Sequence, residues 1–270
     1  MSAPVPELPE VESYRLLAET ALGRTVARVE IRDPRYLRGD LPARRLSALL
    51  RGTTFTAARR RGKLLILDIA APDGAPSPHR LGLRFGMTGR LAVDGRMGVG
   101  DLLYSPVRTD PAWDRFALRF ADGGRLVMHD PRLLGGVSLD PDEDALGPDA
   151  TTITPRELSA ALEGSAVALK ARLLDQARVA GIGNLIADEL LWRAALSPGR
   201  RAGSLTSDEV RRLHRQLRRT LTLLTDRGGS HTGDLMDFRQ PGGRCPKDGA
   251  ELRRSTVGGR TSWWCPHHQR

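Results

Sequence analysis

The feature that most constrains the chain is a change in the period of its apolar residues. From about residue 25 they recur every second position, in "TVARVEI", "LLILDI", "RLGLRFGM", "RFALRF" and "RLVMHD", with Gly, Pro and Asp between the runs. A period of two puts alternate side chains on opposite faces of a strand, so this stretch predicts an antiparallel sandwich or barrel. The acidic segment "DPDEDALGPDATTI" at 140–153 ends the pattern, and helical spacing replaces it. Thr154-Pro155-Arg156-Glu157 reads as a capping box with proline at the first helical position. Thr206 to Glu209 is a second box, opening a helix with Val210, Leu213, Leu217, Leu221 and Leu224 on one face. Arg211, Arg212, Arg215, Arg218 and Arg219 fall largely off that face, and their default role is to solvate the helix. A helix also precedes the strands. Pro9 suits its first turn, Glu10 and Glu12 its positive end, and Val11, Tyr14, Leu17 and Ala21 share helical spacing up to a stop at Gly23. The expected class is α+β.

The 270 residues allow two ordinary domains, or one domain and an appendage. A hydrophobic share of 40% supports a core, and 27% charged residues argue for a soluble chain. No apolar run reaches the roughly 18 residues of a membrane span, and no charged-then-apolar leader is visible, so no membrane is expected. The net charge of +10 and pI near 10.7 point to a polyanionic partner, most simply nucleic acid. Charge alone does not separate this from a basic protein with no such partner. Nearly all of the positive charge is arginine, which leaves Lys63, Lys170 and Lys247 as the candidates for any lysine chemistry. Cys245 and Cys265 fit a reducing cytoplasm and allow one disulfide at most. The chain closes with "CPKDGAELRRSTVGGRTSWWCPHH", two short segments flanked by metal-ligand types, which reads as a zinc-bound hairpin.

In order, "PELPEVE", "RRGKLLILDI", "FGMTGRL", "LLDQARVAGIGNLIADELLWRA" and the terminal finger resemble the formamidopyrimidine-DNA glycosylase and endonuclease VIII family. The resemblance runs from Pro6 to the end of the chain, and its "LLDQ…GIGN…ADE" block is highly specific. It implies an N-terminal two-layer β-sandwich at 6–139, a linker at 140–153, a helix–two-turn–helix domain at 154–229 and a finger hairpin at 242–268. The implied partner is double-stranded DNA carrying a damaged base or an abasic site, bound by a monomer.

The resemblance also implies the site residues. An amine can replace a base at C1′ and form an iminium, which then serves as the electron sink for breaking the neighbouring phosphate ester. A terminal amine, with an ordinary pKa of roughly 7.7–8.0, is partly unprotonated at neutral pH. The family's amine corresponds to Pro6, and its adjacent glutamate, which works on the sugar ring oxygen, to Glu7. Glu10 would help to position the site; helix N-terminal charge is the plainer reading of Glu10, and a poorer one of Glu7. Lys63 matches a lysine that contacts a phosphate beside the lesion and assists proton transfer, against the plainer reading of a surface lysine at a strand start. Asn184 matches a phosphate contact in which its amide, backbone N–H groups and the helix dipole converge, and a helix N-cap role is compatible with this. Arg260 matches a phosphate-binding arginine, and Arg84 stands where the family has a histidine.

Met87 and Arg132 match the residues that fill the gap left by an extruded base, and Leu134 stands where a phenylalanine is usual. Without that context Met87 would be read as core. At the family's four-cysteine spacing the chain has Cys245, Asp248, Cys265 and His268, so the expected Zn2+ has a weakened ligand set, with His267 as an alternative. A hairpin held by Trp263 and Trp264 without metal is the competing reading. Between "RGGS" and Cys245 lies only "HTGDLMDFRQPGGR", where 8-oxoguanine enzymes of the family usually carry a longer loop. The lesion preference therefore leans towards an endonuclease VIII-like or an unusual substrate.

One feature opposes the match. Val5 precedes Pro6, so in this sequence the Pro6 nitrogen is an amide. Valine is encoded by GTG, a bacterial start codon, and translation from there with removal of the initiator would expose Pro6. The rival expectation is a DNA-binding homologue that lacks a free proline amine. A zinc-ribbon RNA binder would have no need of "PELPEVE".

Overall fold

The computed structural model describes residues 6–99 and 110–270. Two compact units emerge. One is Glu10–Glu143; the other joins Asp144–Arg270 to the start of the chain through Pro9. The opening residues thus group with the helices and not with the strands, because Leu8 packs in the helical core and Glu7 is bonded to a helix there.

The strand unit follows the period-two pattern. Helix α1 (Leu8–Glu19) leads to β1 (Val26–Ile31), α2 (Ala43–Leu50), β2 (Thr54–Arg61), β3 (Leu64–Ala70) and β4 (Pro76–Arg84). β5 (Arg90–Val93), β6 (Arg96–Met97), β7 (Asp114–Phe120), β8 (Arg125–His129) and β9 (Gly136–Leu139) complete it. They form two antiparallel sheets, in the orders β1-β7-β8-β5-β6 and β2-β3-β4-β9. Leu65, Leu67, Leu81, Leu83, Leu91, Phe116, Leu118, Met128 and Val137 meet in one core. The run "RLGLRFGM" is strand only as far as Arg84; Phe85 to Met87 turn away from the sheet. β2 carries "TFTAARRR", whose arginines hide its alternation. In the fold Phe55 and Ala58 are buried, a bulge interrupts the register between Phe55 and Ala57, and Arg59 spans Asp68 and Glu143.

The helical unit contains α3 (Pro155–Leu162), α4 (Leu169–Leu174), α5 (Asn184–Ala194) and α6 (Ser207–Asp226), then β10 (Arg253–Val257) and β11 (Arg260–Trp264). Both expected capping boxes form: Glu157 N–H donates to Thr154 Oγ1 (3.2 Å) and Glu209 N–H to Thr206 Oγ1 (3.3 Å), each glutamate bonding back to the cap N–H. The apolar face of α6 is buried as expected. Arg212 departs from the solvating role: half-buried, it donates from Nε to the Ala194 carbonyl at the C-terminus of α5 (2.9 Å). Val257 pairs with Arg260, and Gly258 and Gly259 turn the hairpin at φ +57° and +71°, the left-handed pair that a two-residue hairpin turn requires. A satellite core of Trp192, Leu235, Cys245, Leu252, Trp263 and Cys265 lies under this hairpin. No described helix is long and apolar enough to cross a membrane.

Candidate functional site

Glu7 is fully buried at the N-terminus of α5. Its Oε1 accepts from Leu185 N–H (2.9 Å) and its Oε2 from Ile186 N–H (3.0 Å). The first turn of a helix leaves such N–H groups unpaired and carries partial positive charge, so it fixes a carboxylate in position and orientation. Gly183, the N-cap, makes the approach possible: a Cβ there would lie 2.0 Å from Glu7 Cδ. Asn184 is the first helical residue and not the cap, and two of the N–H groups expected to meet a phosphate are given to Glu7. Among the described residues the buried Oδ1 of Asn184 has no hydrogen-bond partner. Pro6, immediately before Glu7, is buried as well, as is Glu10 in the first turn of α1.

The same helix carries Asp188 and Glu189, two carboxylates on a segment, "NLIADELLWRA", that is otherwise buried nearly all round. Charges in such a place need partners. Asp188 lies 2.7 Å from Lys170 Nζ and 2.8 Å from Arg239, with Trp263 N–H donating to it at 3.2 Å. Burial pushes the Lys170 ammonium below its usual range, and Asp188 opposes that shift. Glu189 binds Arg193 and accepts from the Asp234 and Leu235 N–H groups. Asp234 in turn bridges Arg193 and Arg227, and the Arg227 hydrogen bond leads in holding its carboxyl below the usual range. The short connection between α6 and the finger is therefore strapped to α5. Sequence reasoning missed Asp188, Glu189 and the burial of Lys170; acids on an all-apolar helix were the available signal.

In the strand unit, Lys63 sits half-buried in the Gly62–Lys63 turn between β2 and β3, with Gly62 at φ +58°. Arg84 is exposed at the end of β4. Met87, Arg132 and Leu134 come from two loops that touch. Gly86, at φ +57°, lies so close to the second loop that a Cβ would be 2.4 Å from the Leu134 carbonyl carbon. Asp130, fully buried, ties both loops: Thr88 Oγ1 donates to its Oδ1 (2.6 Å) and Gly135 N–H to its Oδ2 (2.7 Å), with Arg132 N–H at 3.2 Å. Met87 is half-buried, whereas Arg132 and Leu134 are exposed, Leu134 by 43%. Asp130 was also missed, although its Asp-Pro step is a turn signal.

Cys245, Asp248, Cys265 and His268 bring their donor atoms within 4.8 Å of one another, the group expected from the spacing. The His268 Nε2 faces the Trp192 carbonyl (3.2 Å), so the proton there leaves Nδ1 free to bind a cation. Nδ1 meets Asp248 Oδ2 at 2.9 Å, so the two donor atoms converge on one point. Two thiols, an imidazole and a carboxylate in this arrangement fit a four-coordinate ion. His267, the alternative ligand, is 74% exposed and stands 3.4 Å from Asp248.

A family model described as the formamidopyrimidine-DNA glycosylase N-terminal domain matches residues 5–137, and one described as the H2TH domain of that enzyme matches residues 145–234. A formamidopyrimidine-DNA glycosylase of Symbiobacterium thermophilum is 35% identical over 98% of this chain and 89% of its own. One from Thermus thermophilus is 35% identical over 97% of each. Among solved structures, Lactococcus lactis Fpg in complex with DNA containing an abasic site superposes with a TM-score of 0.80 at 27% identity, covering 98% of this chain and 99% of that one. The same enzyme with Fapy-dG DNA gives a TM-score of 0.80, also at 27% identity, over 98% and 100%. Full-length agreement of this kind, in a chain whose glutamate, glycine and helix N-terminus interlock as described, makes it a member of the formamidopyrimidine-DNA glycosylase family.

Proposed function

We propose that the chain is a DNA base-excision repair enzyme that releases oxidised bases and cleaves at abasic sites, with Pro6 as the nucleophile once its nitrogen is a free amine. The observation that carries this reading is the Glu7 carboxylate, held by two N–H groups of α5 beside Asn184. A binding protein needs no carboxylate fixed at the residue after the nucleophile, whereas catalysis at C1′ does. In this reading the Pro6 nitrogen attacks C1′ as the base departs with its bonding electrons, and loss of the amine proton leaves a neutral aminal. The C1′–O4′ bond then breaks with its electron pair going to O4′, which takes up a proton, and the nitrogen lone pair forms the iminium. Removal of a C2′ proton then feeds electrons into the iminium and breaks the C3′–O bond. Glu7 serves the sugar ring oxygen and Lys63 the proton transfer. Arg84, Asn184 and Arg260 hold phosphates. Met87, Arg132 and Leu134 fill the place of the extruded nucleotide, which suits their position on two loops pinned to Asp130. Cys245, Asp248, Cys265 and His268 would hold a zinc ion, whose contribution is structural.

The test is borohydride trapping on duplex DNA with an abasic site, using protein whose first residue is Pro6. A covalent adduct is expected, lost when the Pro6 nitrogen is acetylated. In the same protein Glu7→Gln should reduce base release by about 10²–10⁴-fold, the usual weight of a general acid–base group, and leave DNA affinity within a few fold. No adduct, together with tight lesion binding, would favour the non-catalytic homologue.

A further inference from the structure

We propose that Asp188 is a positioning residue that docks the β10–β11 hairpin, and with it Arg260, onto the helix that holds Glu7. The proposal rests on the reading of Arg260 as a phosphate contact. Asp188 lies two and three residues beyond Ile186 and Leu185, so roughly 3–4.5 Å along the α5 axis from the N–H groups that hold Glu7. Its Oδ2 accepts from the Trp263 N–H and from Arg239, and its Oδ1 faces Lys170 Nζ. Lys170 Nζ continues to the Thr261 carbonyl (2.8 Å) and to Ser262 Oγ (2.7 Å). Three consecutive residues of β11, the three that follow Arg260, are thereby fastened to one carboxylate and its lysine.

Stability alone does not account for this arrangement. The side chains of Lys170, Asp188 and Arg239 are 0%, 1% and 6% exposed, and a buried ionic group is commonly no more stable than apolar residues of the same volume. What it supplies is register. A slip of β11 by one residue would exchange the faces of the strand and set Trp263 or Thr261 where Ser262 meets the ammonium. Strand parity also puts Arg260 on the same face as Ser262. The cluster therefore decides from which face, and at which height along α5, the Arg260 guanidinium leaves the hairpin.

Arg239 enters from the connection between α6 and the finger. That strap closes the cluster from the other side, since Asp234 and Leu235 are bonded to Glu189, the neighbour of Asp188. The second carboxylate on α5 holds the strap, and the first holds the hairpin.

The experiment compares Asp188→Asn, Arg260→Gln and their combination in the full chain. Hydrogen exchange at the β10–β11 amides should rise at least tenfold in Asp188→Asn while the α4 and α5 amides keep their protection. Binding to duplex DNA with a tetrahydrofuran abasic analogue should lose about one unit of its log affinity–log salt slope in either single variant, as expected for one lost phosphate contact. The combined variant should lose no more than Arg260→Gln alone. If Asp188→Asn does not fold, Arg239→Gln and Ser262→Ala carry the same expectations in smaller measure. Unchanged hairpin exchange in these variants, or losses that add fully to that of Arg260→Gln, would overturn the proposal. An Arg260→Gln variant with an unaltered slope would instead reject the phosphate role of Arg260, leaving the exchange data to decide the docking.

Discussion

At Gly183 the constraint is space and not backbone conformation, since its φ is −115°. Any β-carbon would displace the Glu7 carboxylate that Leu185 and Ile186 hold. Gly183→Ala should therefore cut base release by about 10²-fold, the scale of an ångström-sized misplacement, and lower the melting temperature as well, because the buried carboxylate loses its two donors. Single-turnover kinetics alongside thermal denaturation would check both halves. The two bonds on Glu7 also bear on the glutamine variant. A glutamine can accept from one of the two N–H groups but must turn its own NH2 towards the other, so part of its effect will be positional.

Individual elements explain both what the sequence disclosed and what it hid. The capping boxes, the apolar face of α6 and the metal-ligand spacing are local patterns, and each appears in the fold where its spacing put it. β2 was concealed because three consecutive arginines break its alternation; in the fold Arg59 is neutralised by Asp68 and Glu143 and Arg60 by Glu12, the last two distant in sequence. Asn184 was given N–H groups that belong to Glu7, because a partner 178 residues away leaves no mark on local spacing. Asp130 is the same kind of case. Its replacement by alanine would leave the Thr88 hydroxyl and the Gly135 and Arg132 N–H groups without their acceptor, and should cost about 3 kcal/mol, seen as a lower denaturation midpoint. At the start of α6, the Arg200 hydrogen bond leads in lowering Glu209 from 4.5 to about 2. Because the folded value is depressed, the stability this group contributes is present above pH 4.5 and is lost as pH falls towards 2. Acid titration followed by helical circular dichroism should show that loss, and Glu209→Gln should flatten it.

For the whole molecule, a net charge of +10 favours a polyanion without naming one. The salt dependence of binding converts that charge into a count. If Lys63, Arg84 and Arg260 each neutralise one phosphate, as proposed, the log–log slope should be about −2.7, or roughly a 40-fold loss of affinity between 50 and 200 mM salt. Fluorescence polarisation across that range would measure it. A steeper slope would mean that further arginines of this lysine-poor chain reach the backbone.

Three of the four tryptophans, Trp192, Trp263 and Trp264, lie in or beside the satellite core under the hairpin, and Trp113 alone belongs to the strand unit. Trp192 is the best placed of them: its indole N–H points at Cys245 Sγ and the Lys247 ammonium stands 4.2 Å from its ring centroid. Three of the four emitters therefore report on the finger and on the helix beneath it. A thiol beside an indole quenches, and ligation would change that thiol into a bound thiolate. The spectrum should therefore respond to metal loading at Cys245 without any label, which gives the finger an optical reporter independent of DNA.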